Sequence, residues 1–230
     1  MIAETSRWDE LKAHWPYLLV LPPLLAEWLK ARGGGGNWLG LAADSLVVLT
    51  TLAMVVVIQA QRRSLEEASI TDRLTGLFNS RHLRGELDRQ VALAHRARSP
   101  LTMIFMDLDR FKGINDRYGH EVGDRLLRKA AQALLAEVRQ HVDLCFRFGG
   151  DEFLVLCPQT TLAEASAVAE RILRARVSSE EAGGEPVTMS LGVVELRRGE
   201  SAREFLRRAD LALYRVKQAG RNAIGYGDGP

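Results

Sequence analysis

Asp107 and Asp109 stand two residues apart at the end of an uninterrupted apolar run, Leu101 to Met106. Asp151 and Glu152 follow a glycine pair, Gly149-Gly150, inside a second apolar stretch. Hard carboxylate oxygens gathered from two strand ends select Mg²⁺ or Mn²⁺ over zinc. Such ions can bind a nucleoside triphosphate, sharpen a hydroxyl nucleophile and stabilise departing pyrophosphate. Lys112, Lys217 and Arg221 supply cations that could neutralise phosphate oxygens. A lone acid or base is usually a solvated surface charge. Four acids at two strand ends are harder to dismiss, provided that those strands are neighbours.

The elements that must hold them can be read around them. Val142, Leu144 and Phe146 precede Gly149-Gly150 and Phe153 to Leu156 come after it, which reads as a β-hairpin with both acids at its tip. Glycine allows positive φ there and lets a ligand approach the backbone. The run Leu101 to Met106 reads as a strand buried on both faces, and acids at the C-terminal end of such a strand are a recurrent place for chemistry. Arg110 to His120 reads as a polar loop. A helix is expected from Glu121 to about Gln140, with Val122, Leu126, Leu127, Ala130, Ala131, Leu134, Leu135 and Val138 in one stripe and Asp124 off it in the first turn. Further helices are expected over Arg81–Arg98, Thr161–Val177 and Ser201–Gln218. Strands are expected over Val187–Glu195, with Val187, Met189, Leu191 and Val193 on one face, and near Ala223–Tyr226. Alternating helices and strands predict an α/β sandwich.

The bulk composition bounds the rest. The 230 residues carry 31 basic against 29 acidic side chains, a net of +2, which does not select nucleic acid as a partner. Cys145 and Cys157 flank the hairpin tip and read as two reduced thiols, since two cysteines make no disulfide framework and lack the company of a zinc site. The apolar residues are concentrated at the front. Trp38–Ile58 is 21 residues long with one charge, Asp44, and as a helix would match a bilayer core. Tyr17–Ala26 is a shorter apolar run with Pro22-Pro23, and Gly33 to Gly36 separates the two. A transmembrane helical hairpin is the favoured reading, with a single span at 38–58 as the fallback. Arg62 and Arg63 after the span favour the cytoplasm for the C-terminal part of the chain, although Lys30 and Arg32 dilute the rule. The expected organisation is a membrane anchor over 1–58, a linker helix over 59–70, a soluble domain over 71–226 and a tail over 227–230.

Four ordered stretches resemble one family. They are Asp72-x-Leu74-Thr75-Gly76-Leu77-x-Asn79; Asp107-x-Asp109-x-Phe111-Lys112-x-x-Asn115-Asp116-x-x-Gly119-His120-x-x-Gly123-Asp124; Gly149 to Phe153; and Ala209-Asp210-x-Ala212-Leu213-Tyr214-x-x-Lys217-x-x-Gly220-Arg221-Asn222. Together they resemble the GGDEF-domain diguanylate cyclases, over about Asp72 to Asn222. The resemblance implies a palm-like nucleotidyl-cyclase fold, a central and mostly antiparallel sheet wrapped by helices. It implies condensation of two GTP into cyclic di-GMP and two pyrophosphates. By carry-over, Asp107, the backbone carbonyl of Leu108 and Asp151 bind Mg²⁺ or Mn²⁺. Asn115 and Asp124 read guanine, Phe111 and His120 sit beside the substrate, and Lys112, Lys217 and Arg221 hold the β- and γ-phosphates. Gly149 and Gly150 leave room for GTP, and Asp151 or Glu152 helps to deprotonate the attacking 3′-hydroxyl.

The reaction implied also constrains assembly. Each domain would be a half-site for one GTP, so catalysis requires a homodimer. With the front segment read as an anchor, the expected place is the inner (cytoplasmic) membrane with the cyclase domain in the cytoplasm. The family pattern has departures here. Phe78 and Ser80 replace a usual Pro and Arg. The family's inhibitory Arg-x-x-Asp, five residues before the glycine pair, reads Gln140-His141-Val142-Asp143, with Arg139 one place out of register. Glutamine lacks the charged fork that grips phosphate or guanine, so little product inhibition is expected. The alternative reading is a catalytically silent domain that binds GTP or cyclic di-GMP as a receptor. A purely structural membrane adaptor would leave the converging acids unexplained.

Overall fold

The computed structural model describes residues 38–175, 177–178 and 187–227, without the side chains of 38–44 and 62–68. The chain divides into two compact units, 1–68 and 69–230.

Among the described residues of the first unit, the helix α1 (Trp38–Ala68) runs for 31 residues. Among the described residues no helix is long and apolar enough to cross a membrane. Of the span expected over 38–58, side chains are described for 45–58 alone, and those residues by themselves do not make up a crossing. The shorter run at 17–26 and the Gly33–Gly36 turn lie outside them.

The second unit is a six-stranded sheet with helices on both faces. Its elements in order are β1 (Phe78–Asn79), α2 (Ser80–Ala97), β2 (Leu101–Leu108), α3 (Phe111–Tyr118), α4 (His120–Glu137), β3 (Leu144–Gly149), β4 (Glu152–Pro158), α5 (Leu162–Arg174), β5 (Met189–Glu195), α6 (Ala202–Gln218) and β6 (Ile224–Tyr226). The sheet order is β1-β3-β4-β2-β5-β6. The four inner strands pair antiparallel, and the short edge strands β1 and β6 pair parallel to β3 and β5. This is the mostly antiparallel palm expected.

The central strand β2 is buried at all eight positions, as an uninterrupted apolar run requires when helices cover both faces. Its alternate residues feed two cores. Ile104, Met106 and Leu108 pack with α4 and α5 residues such as Leu126, Leu134 and Ile172. Met103 and Phe105 pack with α2 and α6 residues such as Leu83, Phe205 and Leu213. β5 is likewise covered on both faces rather than one. Gly192 explains how: a Cβ there would lie 2.5 Å from the Ala209 carbonyl oxygen, so α6 packs against bare backbone.

Two elements differ in kind from the sequence reading, and several ends shift by up to three residues. Phe111–Tyr118 is a helix, not a loop. Phe111, Ile114 and Tyr118 all turn toward the core, a sparse i, i+3, i+7 stripe masked by the polar residues between them. β1 has no counterpart in the sequence reading, because two residues carry no periodicity; it forms by pairing with Phe146 and Arg147 of β3. Cys145 and Cys157 are both buried free thiols. Burial pushes Cys145 up to about 12, and Cys157 is raised for the same reason, so both are inert at neutral pH.

Candidate active site

The strands that carry the acids are neighbours. β2 and β4 pair so that Asp107 lies directly opposite Glu152, and on its other side Asp107 faces Ser190 of β5. Asp151 sits in the turn between β3 and β4, where its carbonyl oxygen accepts from the Leu108 N–H at 3.3 Å. The end of β2 and the hairpin tip are thus tied by backbone as well as by register.

Electrostatics follow from this crowding. Asp107 is buried, and Lys217 of α6 places Nζ 2.6 Å from its Oδ2. Burial pushes the Asp107 carboxyl up. The Lys217 hydrogen bond and charge pull it down, the negative charges of Asp151 and Asp109 push it up again, and it ends above the ordinary value. Glu152 is also raised, by burial first and then by the Asp107 charge, with Lys217 opposing and Asp151 and Asp210 adding. Carboxylates that raise one another are what a cation would relieve.

Among the described residues no group of three or more His, Cys, Asp or Glu side chains is gathered for a metal ion. The donor set nonetheless fits Mg²⁺ or Mn²⁺. Mg²⁺ commonly binds through one or two carboxylates plus substrate phosphates rather than in an all-protein cage. Asp107, Asp151 and the Leu108 carbonyl are of that kind.

Asp109 does not share in this cluster as its spacing promised. Its Oδ1 accepts from Ser190 Oγ at 2.7 Å, and its Oδ2 accepts from Thr188 Oγ1 at 2.7 Å and from the Asn222 N–H at 3.1 Å. The strand ends at Leu108 and Arg110 takes φ +57°, so the two-residue alternation that would put Asp107 and Asp109 on one face stops between them.

A second constellation forms where α3 meets α4. Asn115 Oδ1 is buried with no hydrogen-bond partner among the described residues. A buried unpaired amide oxygen is costly, and a ligand N–H is the donor it lacks. Gly123 makes the place for it: a Cβ there would lie 1.9 Å from Asn115 Oδ1 and 3.0 Å from Phe111 Cζ. Asp124, half-buried, is the next residue on α4. Lys112 near the start of α3, His120 at the start of α4 and Arg221 after α6 are exposed.

Gly149 and Gly150 are exposed, and a Cβ at Gly150 would meet nothing within 4 Å, so the tip presents an open surface. Gly150 takes φ +37°, which glycine accepts without the penalty of a side chain. Arg147, given no role by its sequence position, is the clamp on this turn. Its Nε and Nη2 donate to the Gly150 carbonyl oxygen at 3.1 and 2.8 Å, and its Nη1 donates to both carboxylate oxygens of Asp72 at 3.1 and 3.2 Å. Arginine three residues before the turn and an acid in the first signature were the available signal, but their pairing needs the β1–β3 contact.

At the displaced inhibitory motif, Arg139 turns inward. Its N–H and Nη2 donate to Asp143 at 2.7 and 2.6 Å, and Nη2 also donates to Thr160 Oγ1 at 2.6 Å. Asp143 is buried beneath it. A cleft of about 290 Å³ beside this pair is lined by residues including Phe78, Gln140 and His141.

The sequence profile described as "Diguanylate cyclase, GGDEF domain" matches residues 69–223. The response regulator PleD of Caulobacter vibrioides is 42% identical over 165 residues, 69% of this chain and 36% of PleD. The diguanylate cyclase DgcP of Pseudomonas aeruginosa is 40% identical over 162 residues, 69% of this chain and 24% of DgcP. The chain thus spans about a quarter to a third of the length of these curated relatives. Among solved structures, the GGDEF domain of DgcB from Caulobacter crescentus in complex with c-di-GMP is similar with a TM-score of 0.65 and 30% identity, covering 70% of this chain and 97% of that one. The diguanylate cyclase SiaD, in complex with its activator SiaC from Pseudomonas aeruginosa, is similar with a TM-score of 0.63 and 34% identity, covering 96% of this chain and 88% of that one. With the profile spanning residues 69–223 and the sheet pairing Asp107 with Glu152, the chain belongs to the diguanylate cyclase GGDEF-domain family.

Proposed function

We propose that this chain is a diguanylate cyclase, joining two GTP into cyclic di-GMP with release of two pyrophosphates. The observation that carries the reading is the meeting of Asp107, Glu152 and Lys217 at one end of the sheet, together with an Asn115 oxygen that has no partner among the described residues and is suited to a base N–H.

Asn115 and Asp124 bind the guanine edge, with Phe111 and His120 beside the substrate. Lys112, Lys217 and Arg221 hold the β- and γ-phosphates, Lys217 by leaving Asp107. Gly149 and Gly150 give the nucleotide an open floor. Asp107, the Leu108 carbonyl and Asp151 would hold Mg²⁺ or Mn²⁺, which when bound supplies positive charge at the triphosphate and acidifies the 3′-hydroxyl. Asp151 or Glu152 accepts the proton from that hydroxyl. The hydroxyl attacks the α-phosphate of the GTP on a second copy, so two domains face each other in a homodimer.

Purified protein incubated with GTP and Mg²⁺ should yield one cyclic di-GMP for every two pyrophosphates released, and Asp107→Asn should yield neither. GTP binding without product would replace this reading with a GTP receptor.

The N-terminal segment is proposed to anchor the chain in the inner membrane with the cyclase domain in the cytoplasm, as a helical hairpin or as a single span. What supports it is exposed apolar surface on α1, where Leu46, Leu49, Leu52 and Met54 are each at least 60% exposed and require a cover. A second copy of α1 is the competing cover, since a DgcB structure comprising a coiled coil and GGDEF domain is similar over 79% of this chain. Flotation of the full chain with liposomes supports the anchor. A soluble dimer that stays with the aqueous phase refutes it.

A further inference from the structure

We infer that Asp109 is a positioning residue for Arg221, not a metal ligand. The inference rests on the role proposed above for Arg221 at the GTP phosphates.

Asp109 is 5% exposed. An ionised carboxylate persists at such depth only when its oxygens are hydrogen-bonded. It has roughly four acceptor positions, and three are filled by uncharged donors: Ser190 Oγ, Thr188 Oγ1 and the Asn222 N–H. Its own N–H donates to the Thr188 carbonyl oxygen at 2.9 Å. These partners come from the start of β5 and from the turn after α6. None comes from the hairpin that carries Asp151 and Glu152.

The turn after α6 is what needs holding. Gly220, Arg221 and Asn222 take φ of +122°, +68° and +50° in succession. Asparagine tolerates the left-handed region through its short polar side chain. Arginine gains no such compensation, and a residue stays there only when its surroundings over-determine it. The Arg221 N–H donates to the Val216 carbonyl oxygen at 3.0 Å, and the Leu191 N–H donates to the Ala223 carbonyl oxygen at 3.0 Å. Between these anchors the Asn222 N–H is fixed by Asp109. Arg221 therefore projects from a peptide gripped on both sides, four residues after Lys217, which already touches Asp107. Asp109 links the metal-binding strand end to the phosphate-binding turn and sets the place of Arg221.

The test is a double-mutant cycle in the full chain, read by calorimetric affinity for a non-hydrolysable GTP analogue with Mg²⁺ and by KM and kcat for GTP. Asp109→Ala should weaken analogue binding and raise KM by about 10- to 100-fold, the loss expected when a hydrogen bond to a charged group is no longer made, with kcat changed less than KM. Added to Arg221→Ala it should cost nothing further, since residues acting through one another are non-additive. Asp109→Asn should come within about threefold of the parent protein, because its amide oxygen still accepts from Asn222 and its NH₂ donates to Ser190. Thr188→Val, which removes one donor and leaves the carboxylate, should reproduce part of the effect and serves where Asp109→Ala does not fold. Additive losses from Asp109→Ala and Arg221→Ala would overturn the inference. So would an Asp109→Asn protein that has lost Mn²⁺ affinity by paramagnetic resonance, because it would make Asp109 a ligand. If the parent protein binds the analogue without making product, the cyclase reading fails while the cycle in affinity still decides Asp109.

Discussion

The Lys217 ammonium lies 2.6 Å from Asp107 Oδ2, so the cation proposed for phosphate and the carboxylate proposed for metal are each other's partner. The two attachments compete for one oxygen. Lys217→Met should tighten Mn²⁺ binding several-fold without nucleotide, since removing an adjacent ammonium removes its repulsion of the ion. The same change should raise KM for GTP about 10- to 100-fold, because a hydrogen bond to a charged group contributes about 1.5–3 kcal/mol. A Mn²⁺ titration followed by paramagnetic resonance, set beside steady-state kinetics, checks both arms. Unaltered Mn²⁺ affinity would mean that the ion pair does not gate the site.

Gly123 offers a substitution in which stability and function should part. It is buried within α4, and glycine in a helix interior is disfavoured against alanine by up to about 1 kcal/mol. Propensity therefore favours Gly123→Ala. Geometry opposes it, because the new methyl would sit 1.9 Å from Asn115 Oδ1. The Asn115 side chain must leave its pocket. The melting temperature should change little, while affinity for GTP falls and its margin over ATP narrows. Competition binding of the two nucleotides reads the margin. An unchanged preference for guanine would mean that Asn115 is not its reader.

The contrast between these residues shows what the sequence could carry. Asp107 and Glu152 were legible because each ends or begins an apolar run, and apolar runs of that length become neighbouring inner strands in an α/β sheet. The helices α2, α4, α5 and α6 were legible from their stripes. Asp109 was not, since a spacing of two predicts a shared face only while the strand continues, and the turn at Arg110 breaks it. α3 was obscured because three core contacts among eight residues read as a polar loop. Arg147 and Asp72 are 75 residues apart, and no local pattern announces a pair that only the β1–β3 edge brings together.

Product inhibition turns on another such pair. Arg139 spends its guanidinium on Asp143 and Thr160, and Gln140 replaces the family's gripping arginine. Progress curves should therefore be unaffected by added cyclic di-GMP at micromolar levels. Gln140→Arg, which restores Arg-x-x-Asp spacing, should introduce inhibition if Asp143 is released to it. Asp143→Ala should lower stability by less than the ~3–5 kcal/mol of a fully buried pair, since the Arg139 left behind is half exposed and can be hydrated, without changing the response to product. Micromolar product binding that disappears in Asp143→Ala would contradict the expectation.

Asp72 gives the acid side of the stability profile. Burial pushes its carboxyl up, but hydrogen bonds from the Thr75 hydroxyl and N–H and the charge of Arg147 outweigh it, so it titrates below its ordinary 3.8. The folded protein then binds fewer protons than the unfolded chain between that depressed value and 3.8. Its contribution is fully present above the ordinary value and is lost as pH falls through the depressed one. Arg147→Met removes one of the causes, so its acid-unfolding midpoint should move to higher pH. Asp72→Asn should flatten the profile in that window, having no proton to bind. Arg147 also grips Gly150, so Arg147→Met should cost catalysis at neutral pH, by up to about 10²-fold if the turn shifts by 1 Å. Circular dichroism against pH and initial rates at neutral pH give the two readings. Acid curves that superimpose, with full activity, would show that Arg147 neither stabilises Asp72 nor holds the turn that carries Asp151.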